Sequence, residues 1–372
     1  MGIPFAESPE PASLGVEWEF ALVDRDSRDL VNAAQELFDR YLAAYGDQPR
    51  LHHELLRNSL EVTTGICRTT AEAMADLHRL VDQVRPIAAE LGTDLYSAGT
   101  HPFAAWSRQL LTPGPRYEEL IARTQWWGRQ MLIWGVHVHV GVHREQVMPI
   151  VSAMLNHFPH LQALSASSPI WAGQDTGYAS NRAMMFQQLP TAGLPFHFGA
   201  WAQFEAYVDD LLTTGVIDAI DEIRWDVRPA PRLGTVEVRI CDGVSTYDEM
   251  RALVALTHCL VVDLADRLDG GEVLPTLPPW HVQENKWRAA RYGLDAWIII
   301  DDRSHERLLL DDLADLLERL VPVARRLGCE PELALVEAIP RRGASYQRQR
   351  RVADRTGGDL VAVVDSVVRE LA

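Results

Sequence analysis

The sequence predicts an α+β fold: a largely antiparallel sheet with one charged face and helices packed on the other. Three segments carry that reading, namely Val16-Glu17-Trp18-Glu19-Phe20, Val136-His137-Val138-His139-Val140 and Val236-Glu237-Val238-Arg239-Ile240. In a strand, such alternation sends apolar side chains to one face and charged or imidazole groups to the other. One face then packs a core. The other collects three carboxylates, two imidazoles and a guanidinium, which is costly unless it meets water, metal ions or an anionic ligand. The second observation is spacing. The strand candidates 14–24, 60–64, 93–98, 133–142 and 234–241 are separated by long helical stretches, so sheet neighbours need not be sequence neighbours.

Residues 1–13 hold three prolines and no basic apolar leader pattern, and are expected to form a mobile tail or loosely packed arm. Residues 14–372 are then expected to form a single catalytic domain. Met74, Leu77, Leu80, Val81, Val84, Ile87 and Leu91 recur at helical spacing, with Thr69 or Thr70 as the cap, Gly92 as the stop and Pro86 as a kink point. Helices are also expected over 117–132, 147–163, 201–212 and 246–268, the last opened by a Thr246–Glu249 capping box. Three more fill the last quarter, around Trp287, over 309–327 and over 359–371. Pro275 to Trp280 is the best candidate boundary, but it is too short and apolar for a linker.

The net charge of −17 argues against nucleic acid as the main partner. A small anionic substrate would need locally placed arginines or metal ions. The longest strongly apolar segment, Leu253 to Leu264, is interrupted by His258 and Asp263 and is too short for a membrane span. Cys67, Cys241, Cys259 and Cys329 include no C-x-x-C pair, which suits reduced thiols in a cytoplasmic protein. The sequence leaves oligomeric state open, a homo-oligomer included.

Glu17 and Glu19 share a strand face with Cα atoms about 6.5–7 Å apart, so each could serve a different Mg²⁺. The bland alternative is a solvated strand edge. Glu54 and Glu61 stand at an odd offset, which a turn at Arg57-Asn58-Ser59 would bring to one side as a hairpin. His137 and His139 project from one face as metal ligands or phosphate donors, with a satisfied structural role for at least one as the alternative. Arg228 and Arg232 sit in a proline-stiffened loop that leads into the strand bearing Glu237 and Arg239. A metal-binding carboxylate beside a guanidinium suits phosphoryl transfer, whereas a surface ion-pair ladder would leave the shared division of faces unexplained. Asn181-Arg182 could meet a substrate carboxylate or make an ordinary ion pair. The basic run Arg341 to Arg348 reads as a solvated helix start, or as a contact to nucleotide or substrate. Neither a Walker loop, a Rossmann glycine fingerprint nor a G-x-S-x-G elbow occurs.

Together these segments resemble the type 2 glutamate–cysteine ligases, a family of ATP-dependent carboxylate–amine ligases. The resemblance rests on Gly15-Val16-Glu17-Trp18-Glu19-Phe20, on Glu54-Leu55-Leu56 through Glu61-Val62-Thr63-Thr64-Gly65, on Trp134 through Gly141, and on Trp225 through Arg239. It continues through Glu284-Asn285-Lys286-Trp287 and Gly343 to Arg348. Trp18 departs from the acidic or aliphatic residue common between the two glutamates, on the apolar face. The resemblance implies a glutamine synthetase-like catalytic fold. By that analogy Glu19, Glu54 and Glu61 hold one Mg²⁺, and Glu17, His139 and Glu237 another, with His137 as a further candidate ligand. Arg239 and Arg228 would meet the transferred phosphate. Arg182, Asn181 and Arg232 would bind substrate.

The implied reaction joins the γ-carboxyl of L-glutamate to an amine, L-cysteine by resemblance, through an acyl phosphate formed from ATP. Alternatives are a ligase for another acid or amine, a zinc hydrolase built on His137, His139 and a glutamate, and a non-catalytic nucleotide binder. The expected partners are ATP, an amino acid and an amine, with no nucleic acid and no membrane.

Overall fold

The computed structural model describes residues 2–7, 12–46 and 50–372. Its strands, in chain order, are β1 (Leu14–Asp24), β2 (Leu51–His53), β3 (Ser59–Thr63), β4 (Thr93–Tyr96), β5 (Gly135–Gly141), β6 (Ile170–Trp171), β7 (Gln174–Asp175), β8 (Val227–Ala230), β9 (Thr235–Asp242), β10 (Trp297–Ile299) and β11 (Glu306–Leu308). Seven form one sheet in the order β2-β3-β1-β5-β9-β8, with β4 also paired to β1. Every pairing in it is antiparallel. The expected α+β class with a largely antiparallel sheet is therefore what forms.

The alternation does what the pattern predicted. Val16, Trp18 and Phe20 of β1 are buried with Val136, Val138, Val140, Val236 and Val238 on the core face. Trp18 satisfies its indole by donating to Ser97 Oγ at 2.9 Å. That face meets the helices α1 (Ala34–Tyr45), α2 (Thr70–Glu90), α3 (Pro115–Arg129), α4 (Arg144–Met154), α5 (Phe158–Ser165), α6 (Asn181–Phe186), α7 (Trp201–Thr213) and α8 (Tyr247–Asp269) only in part, since α3 and α6 border the polar side. The central helix is α8, buried at every residue from Ala252 to Val262, and Thr246 caps it as expected by accepting from Glu249 N at 3.1 Å. Being apolar on all sides, it fits only the interior. The chain ends in α9 (Pro279–Tyr292), α10 (Leu309–Leu327), α11 (Glu330–Ala334), α12 (Ala338–Arg342), α13 (Ser345–Arg355) and α14 (Leu360–Leu371). The main apolar core draws on residues from Leu14 to Leu371.

Several expectations are corrected. The helix expected over 147–163 is two helices, α4 and α5, joined by a tighter turn at Leu155–His157. Helix α3 starts earlier and is broken by Gln125, whose φ is +49°. The loop expected around Arg228 is the strand β8, and its Pro229 is tolerated because β8 is a sheet edge. Helix α1 was not expected. In the arm, Ile3 N donates to Glu205 at 2.7 Å and Phe5 packs edge-on to Trp201. Thus residues 2–7 are docked; residues 8–11 lie outside the described residues. The Pro275–Trp280 segment is tied down by Asn156, whose amide donates to Pro275 O at 2.7 Å and accepts from Leu277 N. Among the described residues no helix is long and apolar enough to cross a membrane.

Candidate active site

Pairing register assembles the polar face. Glu61 stands opposite Glu19, and Glu17 lies between Thr63 and His137. His139 stands opposite Glu237, which stands opposite Arg228. Between Val136 and Val138 the ladder shifts, so His137 alone faces Arg239 and Ile240. This bulge keeps Glu237 and Arg239 on the polar face while returning Cys241 to the apolar one, and bulges recur beside active sites for this reason. The expected hairpin forms too: β2 runs back against β3, and Glu54, just past β2, faces the same hollow as Glu61.

That hollow has a volume of about 400 Å³ and is walled by Glu17, Glu19, Glu54, Glu61 and His137 together with Arg182, Arg228 and Arg239. A larger hollow of about 760 Å³ lies between the N-terminal arm, α4 and α8, but none of the converging groups reaches it. The candidate site is therefore the 400 Å³ hollow.

The imidazoles differ. His137 Nδ1 lies 2.6 Å from Glu17 Oε2, and its Nε2 is buried without a hydrogen-bond partner, 3.6 Å from Glu19 Oε1. A proton on Nδ1, donated to Glu17, leaves Nε2 a free lone pair. His139 is engaged at both nitrogens, by Thr235 Oγ1 at 3.0 Å and Glu17 Oε1 at 3.1 Å. Two ligand clusters result, Glu17-His137-Glu237 and Glu19-Glu61-His137. His137, the further candidate, thus belongs to both, its Nδ1 nearest Glu17 and Glu237 and its Nε2 nearest Glu19, whereas His139 and Glu54 belong to neither.

The electrostatics divide the site into halves. Burial pushes Glu54 up to about 8, helped by the charge of Glu19. Burial and the charges of Glu17, Glu54 and Glu19 raise Glu61 well above the usual carboxylate range. On the other half, burial is outweighed. The cations Arg228 and Arg239 hold Glu237 far below its usual range, and His139 and His137 do the same for Glu17. Burial and Arg239 lower His137, whereas Glu237 and Glu17 raise His139 against its burial.

Arg228 Nε donates to Glu237 at 2.6 Å and its Nη1 to Ile223 O at 2.7 Å. Arg239 donates to the same carboxylate, and its Nε is a buried atom without a partner. Arg182 is buried, donates to Arg239 O at 3.2 Å, and also leaves Nε without a partner. A Cβ at Gly135 would overlap its guanidinium, so the glycine lets Arg182 cross the start of β5. Both guanidinium groups, of Arg182 and Arg239, sit just under 6 Å from the Phe186 ring.

Two substrate candidates are placed elsewhere. Arg232 lies in the β8–β9 turn with its side chain 75% exposed, 3.3 Å from Asp221, so it does not reach the hollow. Asn181 spends its amide on Ser168 O at 2.6 Å and Thr176 Oγ1 at 2.8 Å, a structural task. The run Arg341 to Arg348 is not simply a solvated helix start. Arg348 is buried and pairs with Glu249 at 2.5 Å and Glu370 at 2.8 Å, away from the site.

Some residues that the sequence reading gave no role support the site. Lys286 of α9 pairs with Asp226 at 2.5 Å with both side chains 3% exposed, and Asp226 O accepts from Arg239 N at 2.7 Å. Buried Asp242 accepts from Ser167 N, Ser168 and Ser180, fixing the start of α6, which carries Arg182.

The donor set fits oxygen-preferring divalent cations. The clusters are mostly carboxylate, and the orphaned His137 Nε2 faces them.

The chain has relatives in sequence and in fold. The chain is 68% identical over 372 residues to a Nocardioides sp. protein provisionally named glutamate–cysteine ligase 2-3, covering 100% of this chain and 99% of that one. It is 66% identical over 370 residues to a Mycobacterium tuberculosis protein provisionally named glutamate–cysteine ligase 2, covering 99% and 97%. In fold it is similar to the crystal structure of glutamate–cysteine ligase from Francisella tularensis in complex with AMP, at a TM-score of 0.70 and 14% identity, covering 98% of this chain and 90% of that one. The likeness bears out the glutamine synthetase-like class. The sequence profile of glutamate–cysteine ligase family 2 matches residues 13–366, and the chain belongs to that family.

Proposed function

We propose that this protein is an ATP- and Mg²⁺-dependent carboxylate–amine ligase that forms an acyl phosphate, releases ADP and phosphate, and yields an amide. The observation that carries this reading is a hollow lined by four glutamates together with His137, Arg182 and Arg239, whose Nε2, Nε and Nε atoms are buried without partners. Buried polar atoms without partners are costly, and a cation together with an anionic substrate would satisfy all three. By family membership the acid is L-glutamate, through its γ-carboxyl, and the amine L-cysteine. Four free buried thiols suit a cytoplasmic setting, and residues 14–372 are read as one catalytic domain.

Glu19, Glu61 and His137, through Nε2 and with Glu54 alongside, would hold one cation, and Glu17 and Glu237 the other. Bound Mg²⁺ would neutralise phosphate oxygens. Arg228 and Arg239, already fixed on Glu237, need no reorganisation to meet the charge on the transferring phosphoryl group. A carboxylate oxygen of the acid attacks the γ-phosphorus and ADP departs. The neutral amine then attacks the acyl carbon and phosphate leaves. Arg182 would hold the acid. The walls keep water from the acyl phosphate. Neither ligand cluster draws on two imidazoles, which supports Mg²⁺ over a zinc hydrolase.

The test is phosphate release from ATP and Mg²⁺ with L-glutamate, with and without L-cysteine, followed by mass analysis. Cysteine-dependent release with a γ-glutamylcysteine mass is expected. Release with other acids or amines only would move the substrates. No release across a broad panel would overturn the ligase reading.

A further inference from the structure

A second, smaller hollow of about 200 Å³ adjoins the main one and shares Arg116, Leu120, Asp221 and Arg224 with it. Arg123, Glu119 and Glu222 complete its charged wall, three arginines against three acids. No aromatic ring lines it, so it offers a nucleobase nothing to stack on, and its volume is below that of most small-molecule sites. It suits one small charged group.

Its cations are under-paired. The Arg224 side chain is only 15% exposed, yet the nearest carboxylate, Glu222 Oε2, is 3.7 Å away and is shared with Arg123 at 3.9 Å. Both are beyond a good charge-assisted hydrogen bond. The other oxygen, Glu222 Oε1, is committed to Asp218 N at 2.8 Å and Ala219 N at 3.2 Å. Arg224 instead donates to a neutral acceptor, Glu222 O, at 3.0 Å. Asp221, the other acid of the shared wall, faces Arg232 at 3.3 Å. Arg116 makes no ion pair or hydrogen bond among the described residues. Burial, with repulsion from Arg116, Arg228 and Arg123, presses Arg224 down to about 10. The backbone here is also strained. Thr191, which accepts from Arg224 N at 3.2 Å, is β-branched with a φ of +63°.

The hollow is wired to the reaction centre. Arg228, clamped on Glu237, donates to Ile223 O, so the segment holding Arg224 rides on a residue of the main site.

We propose that Arg224, with Arg116 and Arg123, forms a specificity subsite for the non-reacting carboxylate of an amino-acid substrate. This rests on the ligase reading and makes the enzyme select an amino acid over its carboxamide or a plain amine. The test uses the full chain with Arg224→Gln and, because Arg224 is largely buried, the exposed Arg116→Gln as a second variant. Steady-state kinetics would compare L-glutamate with its α-carboxamide, and L-cysteine with its carboxamide. Expected is a rise of at least 10-fold in KM for one amino acid in Arg224→Gln and a smaller rise in Arg116→Gln. KM for ATP should be unchanged, and the penalty should vanish with the carboxamide of the affected substrate, which also says whether the acid or the amine occupies the subsite. An equal KM for both amino acids, or a penalty that persists with carboxamides, would overturn the subsite. If wild-type protein makes no amide at all, the ligase reading fails separately. Calorimetric titration of L-glutamate and L-cysteine into both proteins with Mg²⁺ and a non-hydrolysable ATP analogue then decides. Weaker binding by Arg224→Gln sustains the subsite, and equal or absent binding overturns it.

Discussion

Replacing Lys286 by Met tests how the site is held. Lys286 and Asp226 are 2.5 Å apart and nearly inaccessible, so the substitution leaves a buried carboxylate without its cation. Breaking such a pair costs about 3–5 kcal/mol, a large share of the roughly 5–15 kcal/mol that holds an ordinary domain folded. The penalty reflects the stranded charge rather than the worth of the pair. The double variant Asp226→Asn/Lys286→Met should therefore regain most of it, giving a coupling of about 2–4 kcal/mol in the cycle. Catalysis should follow stability. Asp226 O accepts from Arg239 N and Arg228 lies two residues on, so a shift of about 1 Å would cost about 100-fold in turnover. The assay is urea unfolding by fluorescence and far-UV dichroism, whose transitions must coincide, with turnover measured alongside. A loss under about 1 kcal/mol in Lys286→Met, or a double variant as unstable as the single, would refute the reasoning.

Glu237→Gln strands two guanidinium groups on a neutral amide and should lower turnover by at least about 10²–10³-fold; near-normal activity would sink the metal and phosphate assignments. Arg239→Lys should be comparably severe, because a point charge cannot hold Glu237 and a phosphoryl oxygen as a fork does. Mg²⁺ alone, at about 100 times its dissociation constant, should stabilise the protein by about 2.7 kcal/mol for each site filled, and Glu19→Gln/Glu61→Gln should remove the share of the site those two carboxylates hold. A thermal scan showing the same shift in both proteins would place the ion elsewhere. His101 titrates in the opposite sense to a paired histidine. Burial lowers it to about 4 from an ordinary 6.5, and its Nδ1 accepts from Ala104 N at 3.0 Å, which requires the neutral ring. The unfolded chain then binds the extra proton first. Stability should fall as pH drops from about 6.5 to about 4, by as much as about 3 kcal/mol, and His101→Gln should lose less over that window by urea titration.

What was legible in the sequence was whatever local chain geometry enforces. Period-two alternation fixed which side of β1, β5 and β9 each glutamate, histidine and arginine occupies, because a strand has no other way to arrange them. The odd Glu54–Glu61 offset exposed the hairpin for the same reason. Arg232 was misplaced because Gly234, at φ +67°, turns the chain between β8 and β9 and leaves Arg232 facing solvent. Sequence also could not rank His137 over His139. Both point to the same face, and the difference lies in their neighbours: Thr235 occupies His139, while the β9 bulge leaves His137 Nε2 free. Lys286 and Asp226 are 60 residues apart, and no local pattern announces their meeting.

The division between legible and hidden follows the division of labour in the site. Groups that would touch phosphate or metal must project from one strand face, and that demand writes itself into the sequence as alternation. Groups that keep those side chains in place, such as Lys286 and Asp242, only need to arrive at the right spot from another element. Their chemistry therefore shows only in the tertiary structure, as buried charges with partners. The same contrast separates Arg224 from its neighbours. Lys286 is buried and paired at 2.5 Å, whereas Arg224 is largely buried and faces a shared carboxylate at 3.7 Å. A cation kept at the cost of desolvation without close compensation is what a binding site requires and a structural ion pair does not.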